Sequence, residues 1–284
     1  MKKLVVFVSM DWEGRYLDPV NLEALKSFRK DYPGIAILHF LNCAYFTKKD
    51  ADFESVKTNM ESVFLPTDEL GLHIHGWKSQ FEACGIKFKN KPSFNDGGVV
   101  ESKEGEDIGH DIPISQYSVD ELVKVIKHSK DIFEKNDWGI PRSFRAGGWD
   151  AKDNVLEALE REDFNADHSA VPTVFLRDKR VSNVLHDWLV PIWDGTEITT
   201  QPYLIKDEIW EFPNNGCLAD YMEGKDMLEV VRKNWETEGI NFVSIGLHQE
   251  TADKFLPRLR DAIELINNSD MTVDWGMFPL NPAE

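Results

Sequence analysis

The sequence predicts an α/β fold whose parallel sheet is closed or partly closed into a (β/α) barrel, and three observations carry that expectation. Leu4–Met10 is an uninterrupted apolar run rich in β-branched residues, the pattern of a central parallel strand covered on both faces. Strand-like runs and helical stretches then alternate along most of the chain, which implies parallel strands joined by right-handed crossovers. Charged and imidazole side chains recur at the carboxyl ends of those strands, where the sites of parallel α/β folds converge. No GxGxxG follows the first strand, so a dinucleotide-binding fold is not expected.

Each element follows from local pattern. Pro19–Lys30 carries Leu22, Leu25 and Phe28 at helical spacing, and Pro33-Gly34 turns the chain into a second strand, Ile35–Leu41. A polar helical stretch around Asp50–Ser62 leads to a short third strand, Glu69–His75. From Gly76 to Gln116 the periodicity is weak, and a loop of that length in a compact domain is commonly functional. Ser118–Lys135 reads as a helix opened by a capping box of Ser118 and Glu121. A strand over Pro141–Ala146, a helix over Ala151–Arg161 and a short strand over Phe164–His168 follow. Short β-rich pieces are expected between Val181 and Pro213. They precede a helix at Asp226–Thr237, a strand at Asn241–Leu247, a helix at Asp253–Asn267 and a last strand within Thr272–Phe278. No internal repeat is present, so one domain spanning residues 1–284 is expected, with an insertion loop at about 76–116.

Composition narrows the function. With 42% hydrophobic residues, including 9 Trp and 17 Phe, the chain can build a sizeable core. A net charge of -18 repels phosphate backbones and anionic lipid, so neither nucleic acid nor membrane is an expected partner. Cys43, Cys84 and Cys217 form no CxxC pair and read as reduced thiols. Met1-Lys2-Lys3 and the apolar run superficially resemble a signal peptide, but Asp11-Trp12-Glu13 interrupts them without a small-residue cleavage site. No segment is long and apolar enough to span a bilayer, and a cytoplasmic location is the expectation.

The chemistry-bearing residues gather at strand ends. Asp11 and Glu13 follow the first strand, His73 and His75 end the third, Arg145 ends the fourth, and His248 follows Val243–Leu247. In an extended segment alternate side chains share a face, so His73 and His75 can reach one metal while Ile74 packs behind. Zinc accepts imidazole and carboxylate ligands, and Glu13 or Asp11 could supply the carboxylate. Two histidines merely hydrogen-bonded near a loop would give the same HxH spacing. Two acids in one pocket raise each other's pKa unless a cation separates them; a metal beside one and an arginine beside the other would let both ionise. Arg145, ahead of Gly147-Gly148, can fix a carboxylate by a bidentate contact or can snorkel from a barrel end. His248 can donate a proton to a leaving amine or can cap a helix. His39 reads as a satisfied core residue, His110, His128 and His186 as loop or surface residues, and His168 as a second-tier candidate at a strand end. Trp77 and Trp149 neighbour the motifs and are candidates to line a sugar pocket.

In order, these segments resemble the polysaccharide deacetylase family, the NodB-homology or carbohydrate esterase family 4 group. The matching segments are Val8-Ser9-Met10-Asp11-Trp12-Glu13, Glu69-Leu70-Gly71-Leu72-His73-Ile74-His75, Ser143-Phe144-Arg145-Ala146-Gly147-Gly148-Trp149 and Leu247-His248. The resemblance is greatest to the cytoplasmic relatives that serve surface-polysaccharide, including lipopolysaccharide, biosynthesis. It implies a distorted seven-stranded (β/α) barrel, with Asp11 as general base oriented by Arg145 and His248 as general acid. It also implies a divalent metal, zinc above others, held by Glu13, His73 and His75. Two departures stand out: Trp12 separates the acids, and the histidines are HxH where the family has HxxxH, with Trp77 at the fourth position after His73. The implied activity is a carbon-nitrogen hydrolase that removes an N-acetyl or related acyl group from a sugar or polysaccharide precursor. A metal-free amidohydrolase like allantoinase, or a catalytically silent carbohydrate-binding relative, would share the fold.

Overall fold

In the computed structural model, which describes residues 3–102, 104–177 and 181–277, every strand predicted above has a counterpart, with edges shifted. The strands are β1 (Lys3–Asp11), β2 (Ile37–Asn42), β3 (Glu69–Ile74), β4 (Ser143–Ala146), β5 (Ala166–Asp167), β6 (Tyr203–Lys206), β7 (Ile209–Glu211), β8 (Ile240–His248) and β9 (Asp274–Trp275). The helices are α1 (Pro19–Asp31), α2 (Phe53–Glu61), α3 (Lys78–Ala83), α4 (Val119–Lys135), α5 (Asp153–Arg161), α6 (Asn183–Ile192), α7 (Gly224–Glu236) and α8 (Ala252–Asn267). Position 278 of the last expected strand lies outside the described residues.

The sheet runs β6-β7-β5-β4-β3-β2-β1-β8, with β9 also on β1, and its pairings are parallel except β6 with β7. The curl is completed by the irregular chain after β7. Asn214 N–H donates to Ala170 C=O beside β5, while Gly216 and Ala219 N–H donate to Ser244 and Gly246 C=O of β8. Leu218 pairs with Gly246 in a parallel bridge. The Asn215 side chain stands in for a missing peptide unit: its amide donates to Phe242 C=O, and its carbonyl accepts from Ser244 N–H, both at 2.9 Å. The segment that leaves β5 thus arrives at β8, giving the distorted seven-position barrel expected from the sequence.

Alternation along β1 explains where the site lies. Leu4, Val6, Val8 and Met10 pack outward against the helices, in the large core. Val5 and Phe7 point inward, into a small cluster with Leu38, Phe40, Ala166, Phe212 and Phe242. The same inward parity continues upward as Ser9 and Asp11, so the barrel interior is apolar at its base and polar at its mouth. On β3, Leu72 and Ile74 belong to the outer core, leaving His73 to the inner face.

Two local expectations change. Between Val181 and Pro213 the chain forms α6 before the β6–β7 hairpin; Ser182 caps it by accepting from Leu185 N–H, and Leu185 and Leu189 bury one face. Phe164–His168 contracts to β5: Phe164 N–H still closes onto Leu159 C=O of α5, and beyond His168, whose N–H bonds Phe144 C=O at 2.8 Å, the Ser169 hydroxyl turns back to Asp167 Oδ1 at 2.6 Å. The capping box of Ser118 and Glu121 is present on α4. Cys43, Cys84 and Cys217 are free thiols. Among the described residues no helix is long and apolar enough to cross a membrane.

Candidate active site

Asp11 closes β1 with its carboxylate on the inner face, buried to 2% exposure. Arg145 at the end of β4 donates from Nη1 to Asp11 Oδ1 at 2.7 Å and to Ser9 Oγ at 3.0 Å. Its Nε donates to His168 C=O at 3.0 Å, and its guanidinium lies 4.3 Å over the Phe40 ring. Arg145 therefore does not snorkel outward; it crosses the barrel mouth to hold the acid. His168 lies beneath this contact, stacked on Phe212, and supports Arg145 through its backbone.

Glu13 stands two residues further on and meets imidazoles on every side. His73 Nε2 is 3.3 Å from Glu13 Oε1, and His75 Nε2 is 2.9 Å from Glu13 Oε2. The other nitrogen of each ring decides its tautomer. His73 Nδ1 lies 2.8 Å from Arg145 C=O, and His75 Nδ1 lies 2.6 Å from His110 C=O. A carbonyl only accepts, so both Nδ1 atoms carry a proton, and in the neutral form of each ring the Nε2 lone pair faces the carboxylate. Gly147 makes room for this arrangement, since a Cβ there would stand 2.6 Å from the His75 ring. Burial works against the Glu13 charge, but the positive charge that His75 and His248 carry when protonated, with hydrogen bonds from His110 and His73, outweighs it and holds its pKa well below the usual carboxylate range.

The loop bearing Glu13 is fixed at its backbone. Glu13 C=O accepts from Trp77 Nε1 at 2.7 Å and from Asn42 Nδ2 at 3.3 Å, while its N–H donates to Glu250 Oε2 at 3.1 Å. Tyr45 donates a short hydrogen bond to Glu250, whose pKa burial and the Glu13 charge push up to about 7. Trp77 is not among the residues lining the cleft, whereas Trp149 is. His248, at the end of β8, places Nδ1 3.1 Å from Asp220 Oδ1 and Nε2 3.5 Å from Glu13 Oε1. Burial alone would lower its pKa, yet Asp220 and Glu13 push it up to about 10. Above these groups opens a cleft lined by Asp11, Glu13 and the histidines and walled by Phe94, Trp149, Leu185 and Tyr221.

Glu13, His73 and His75 offer ligand atoms lying within 4.8 Å of one another. Metal–ligand bonds of about 2.0 Å in a tetrahedron put ligand atoms roughly 3.3 Å apart. The 3.3 Å between His73 Nε2 and Glu13 Oε1 matches that spacing. His75 Nε2 is buried with no hydrogen-bond partner among the described residues. Lone pairs converging on a carboxylate repel one another unless a proton or a cation sits between them, so this donor set fits a divalent metal.

Sequence reasoning placed His110 on a loop or the surface and passed over Arg15, Asp220 and Glu250. The structure brings all four to the site: His110 Nε2 lies 2.5 Å from Glu13 Oε2, and Arg15 Nη2 lies 2.7 Å from His110 Nδ1. The one signal for His110 was its place in the long, weakly periodic segment after Gly76.

No protein-family model and no curated protein matches this chain in sequence. Its fold recurs in a protein of Mycobacterium smegmatis provisionally assigned as a polysaccharide deacetylase. That structure is 12% identical, with a TM-score of 0.55 over 95% of this chain and 85% of that one. A family 4 carbohydrate esterase of Streptomyces lividans, solved with acetate, is 9% identical, with a TM-score of 0.45 over 94% of this chain and 90% of that one. A protein of Bordetella bronchiseptica, provisionally assigned as a polysaccharide deacetylase involved in O-antigen biosynthesis, is 12% identical, with a TM-score of 0.42 over 93% and 80%. At these identities the likeness is one of fold, carried by the Mycobacterium smegmatis structure.

Proposed function

We propose that this chain is a metal-dependent hydrolase of carbon-nitrogen bonds that removes an N-acetyl or related acyl group from a sugar or polysaccharide precursor. The observation that carries the reading is the convergence of His73 Nε2 and His75 Nε2 on Glu13, beside an Asp11 held by Arg145. A divalent cation, zinc by the nature of these donors, would be held by Glu13, His73 and His75 and would supply Lewis acidity toward the acyl carbonyl and the attacking water.

The remaining chemistry belongs to the chain. Asp11 accepts the proton of the attacking water, and Arg145 keeps its carboxylate aimed. His248, held by Asp220 and protonated near neutrality, gives its proton to the departing nitrogen, so that carboxylic acid and free amine leave. Trp149, Tyr221 and Phe94 offer faces on which the apolar side of a sugar ring can stack. A small sugar intermediate is the substrate favoured over a polymer, in keeping with a cytoplasmic biosynthetic role. The test pairs metal analysis of the purified protein with turnover of N-acetylated sugars before and after chelation. About one zinc per chain and chelator-sensitive release of acetate are expected. Turnover by verified metal-free protein would favour the allantoinase-like alternative. Substrate binding without turnover would favour a silent relative. Asp11→Asn is expected to lower kcat by roughly 10²–10⁴-fold and to leave metal binding intact.

A further inference from the structure

Four imidazoles surround Glu13; His248 is the proton donor described above, and of the other three only two can present lone pairs to the carboxylate. His110 is the exception, and Arg15 is the reason. A guanidinium only donates, so the 2.7 Å contact from Arg15 Nη2 makes His110 Nδ1 an acceptor. The proton of His110 must then sit on Nε2, which faces Glu13 Oε2 at 2.5 Å. With its lone pair turned to Arg15, His110 has none to offer a cation beside Glu13. We propose that His110 is a positioning residue that donates to Glu13 Oε2 and thereby fixes the carboxylate for the cation shared with His73 and His75. This rests on the metal-dependent reading above.

The backbone of the same residue acts on a second ligand. His110 C=O accepts the His75 Nδ1 proton at 2.6 Å, and the two rings stack with centroids 4.0 Å apart. One loop residue thus sets both the tautomer of His75 and the orientation of Glu13. The loop can come this close because its hinge is glycine: Gly109 has φ of +101°, and a Cβ there would stand 2.3 Å from Gly76 C=O. Trp77 and Phe94 flank the His110 ring at centroid distances of 5.4 and 6.2 Å and hold its plane. His110 retains 17% side-chain exposure, so it reaches the site from the solvent side.

The test is zinc affinity of the metal-stripped full chain, measured by chelator competition with Zn²⁺ alone as the probe. His110→Ala is expected to weaken binding roughly 10- to 100-fold, the usual cost of losing a hydrogen-bond partner of a metal ligand. His110→Gln, which keeps an N–H donor, is expected to recover part of that loss. The visible spectrum of the cobalt-substituted protein is expected to be unchanged in His110→Ala, because the ligand set is unchanged. Equal zinc affinity in wild type and His110→Ala would overturn the proposal, as would an altered cobalt spectrum or no recovery by Gln. If His110→Ala fails to fold, nitrogen-15 NMR of the metal-stripped wild type decides: an Nε2–H tautomer supports the proposal and an Nδ1–H tautomer overturns it. Failure of the wild type itself to bind zinc would instead remove the metal-dependent reading, and this proposal with it.

Discussion

Arg145 and Asp11 are joined across the mouth of the barrel by a buried ion pair, Nη1 to Oδ1 at 2.7 Å, although two strands separate β4 from β1 in the sheet. Removing one partner of such a pair leaves the other as an uncompensated buried charge. Arg145→Met is therefore expected to cost about 3–5 kcal/mol of folding stability in urea denaturation. Asp11→Asn added to it should recover part of the loss. Arg145→Lys should not substitute, because one ammonium cannot serve Asp11, Ser9 and His168 C=O in the geometry of the fork.

Glu13 and the imidazoles predict linkage between metal and stability. A cation bound only by the folded chain stabilises it by about 2.7 kcal/mol at a hundredfold excess over Kd. Zinc should raise the melting temperature of wild-type protein. His73→Ala and Glu13→Gln should abolish that rise, each variant being compared with and without zinc. A zinc-induced rise of equal size in His73→Ala would exclude His73 as a ligand.

His248 and Asp220 predict the alkaline limb of activity. Burial pulls the imidazole down, but Asp220 and Glu13 push it up to about 10. A general acid is lost as pH rises through its pKa, so lowering that pKa brings the loss to lower pH. Asp220→Asn removes the larger of the two attractions and should shift the alkaline limb of kcat/KM toward acid. An unmoved limb would show that another group sets it.

Asp167 and Glu211 sit opposite each other on β5 and β7, both fully buried. Burial, tempered by hydrogen bonds, pushes Asp167 up to about 6; burial and the Asp167 charge push Glu211 well above its ordinary value. Carboxyls raised in the folded state stabilise it below their unfolded pKa, and that contribution disappears as pH climbs through the folded pKa. The stability this pair supplies should thus decline from about pH 4 upward, by up to about 1.4 kcal/mol per pH unit for each proton retained only by the folded state, with the Asp167 share spent near pH 6 and the Glu211 share lost at higher pH. Glu211→Gln, whose amide still accepts from Ala170 N–H, should flatten that decline in urea titrations across pH.

The parts of the site legible in the sequence are those set by strand periodicity. Asp11 with Glu13, and His73 with His75, share a face because alternate residues of an extended chain must, and the two imidazoles do converge on one acid. Arg145 and His248 were found as strand ends. His110, Asp220 and Arg15 come from irregular chain, where no period states a direction; His110 is 97 residues from the carboxylate it touches. The α6 segment was misread for a related reason. Its Leu185 and Leu189 have helical spacing, but Trp188, Trp193 and Pro191 obscure the pattern. HxH alone could not separate a ligand pair from two loop histidines. What distinguishes them is the atom bonded to each Nδ1, which tertiary structure alone supplies.

The passage from β5 to β8 is stitched by a handful of backbone hydrogen bonds and the amide of Asn215, where the other walls have regular ladders. Such a seam is where the wall should breathe first, with amide protons of residues 214–219 exchanging ahead of those in β1. Asp220 lies directly beyond the seam. Each opening would therefore loosen the grip on His248 while Asp11 and Arg145, on strands β1 and β4 with regular ladders, stay in place, and proton delivery becomes the step most exposed to mild denaturant.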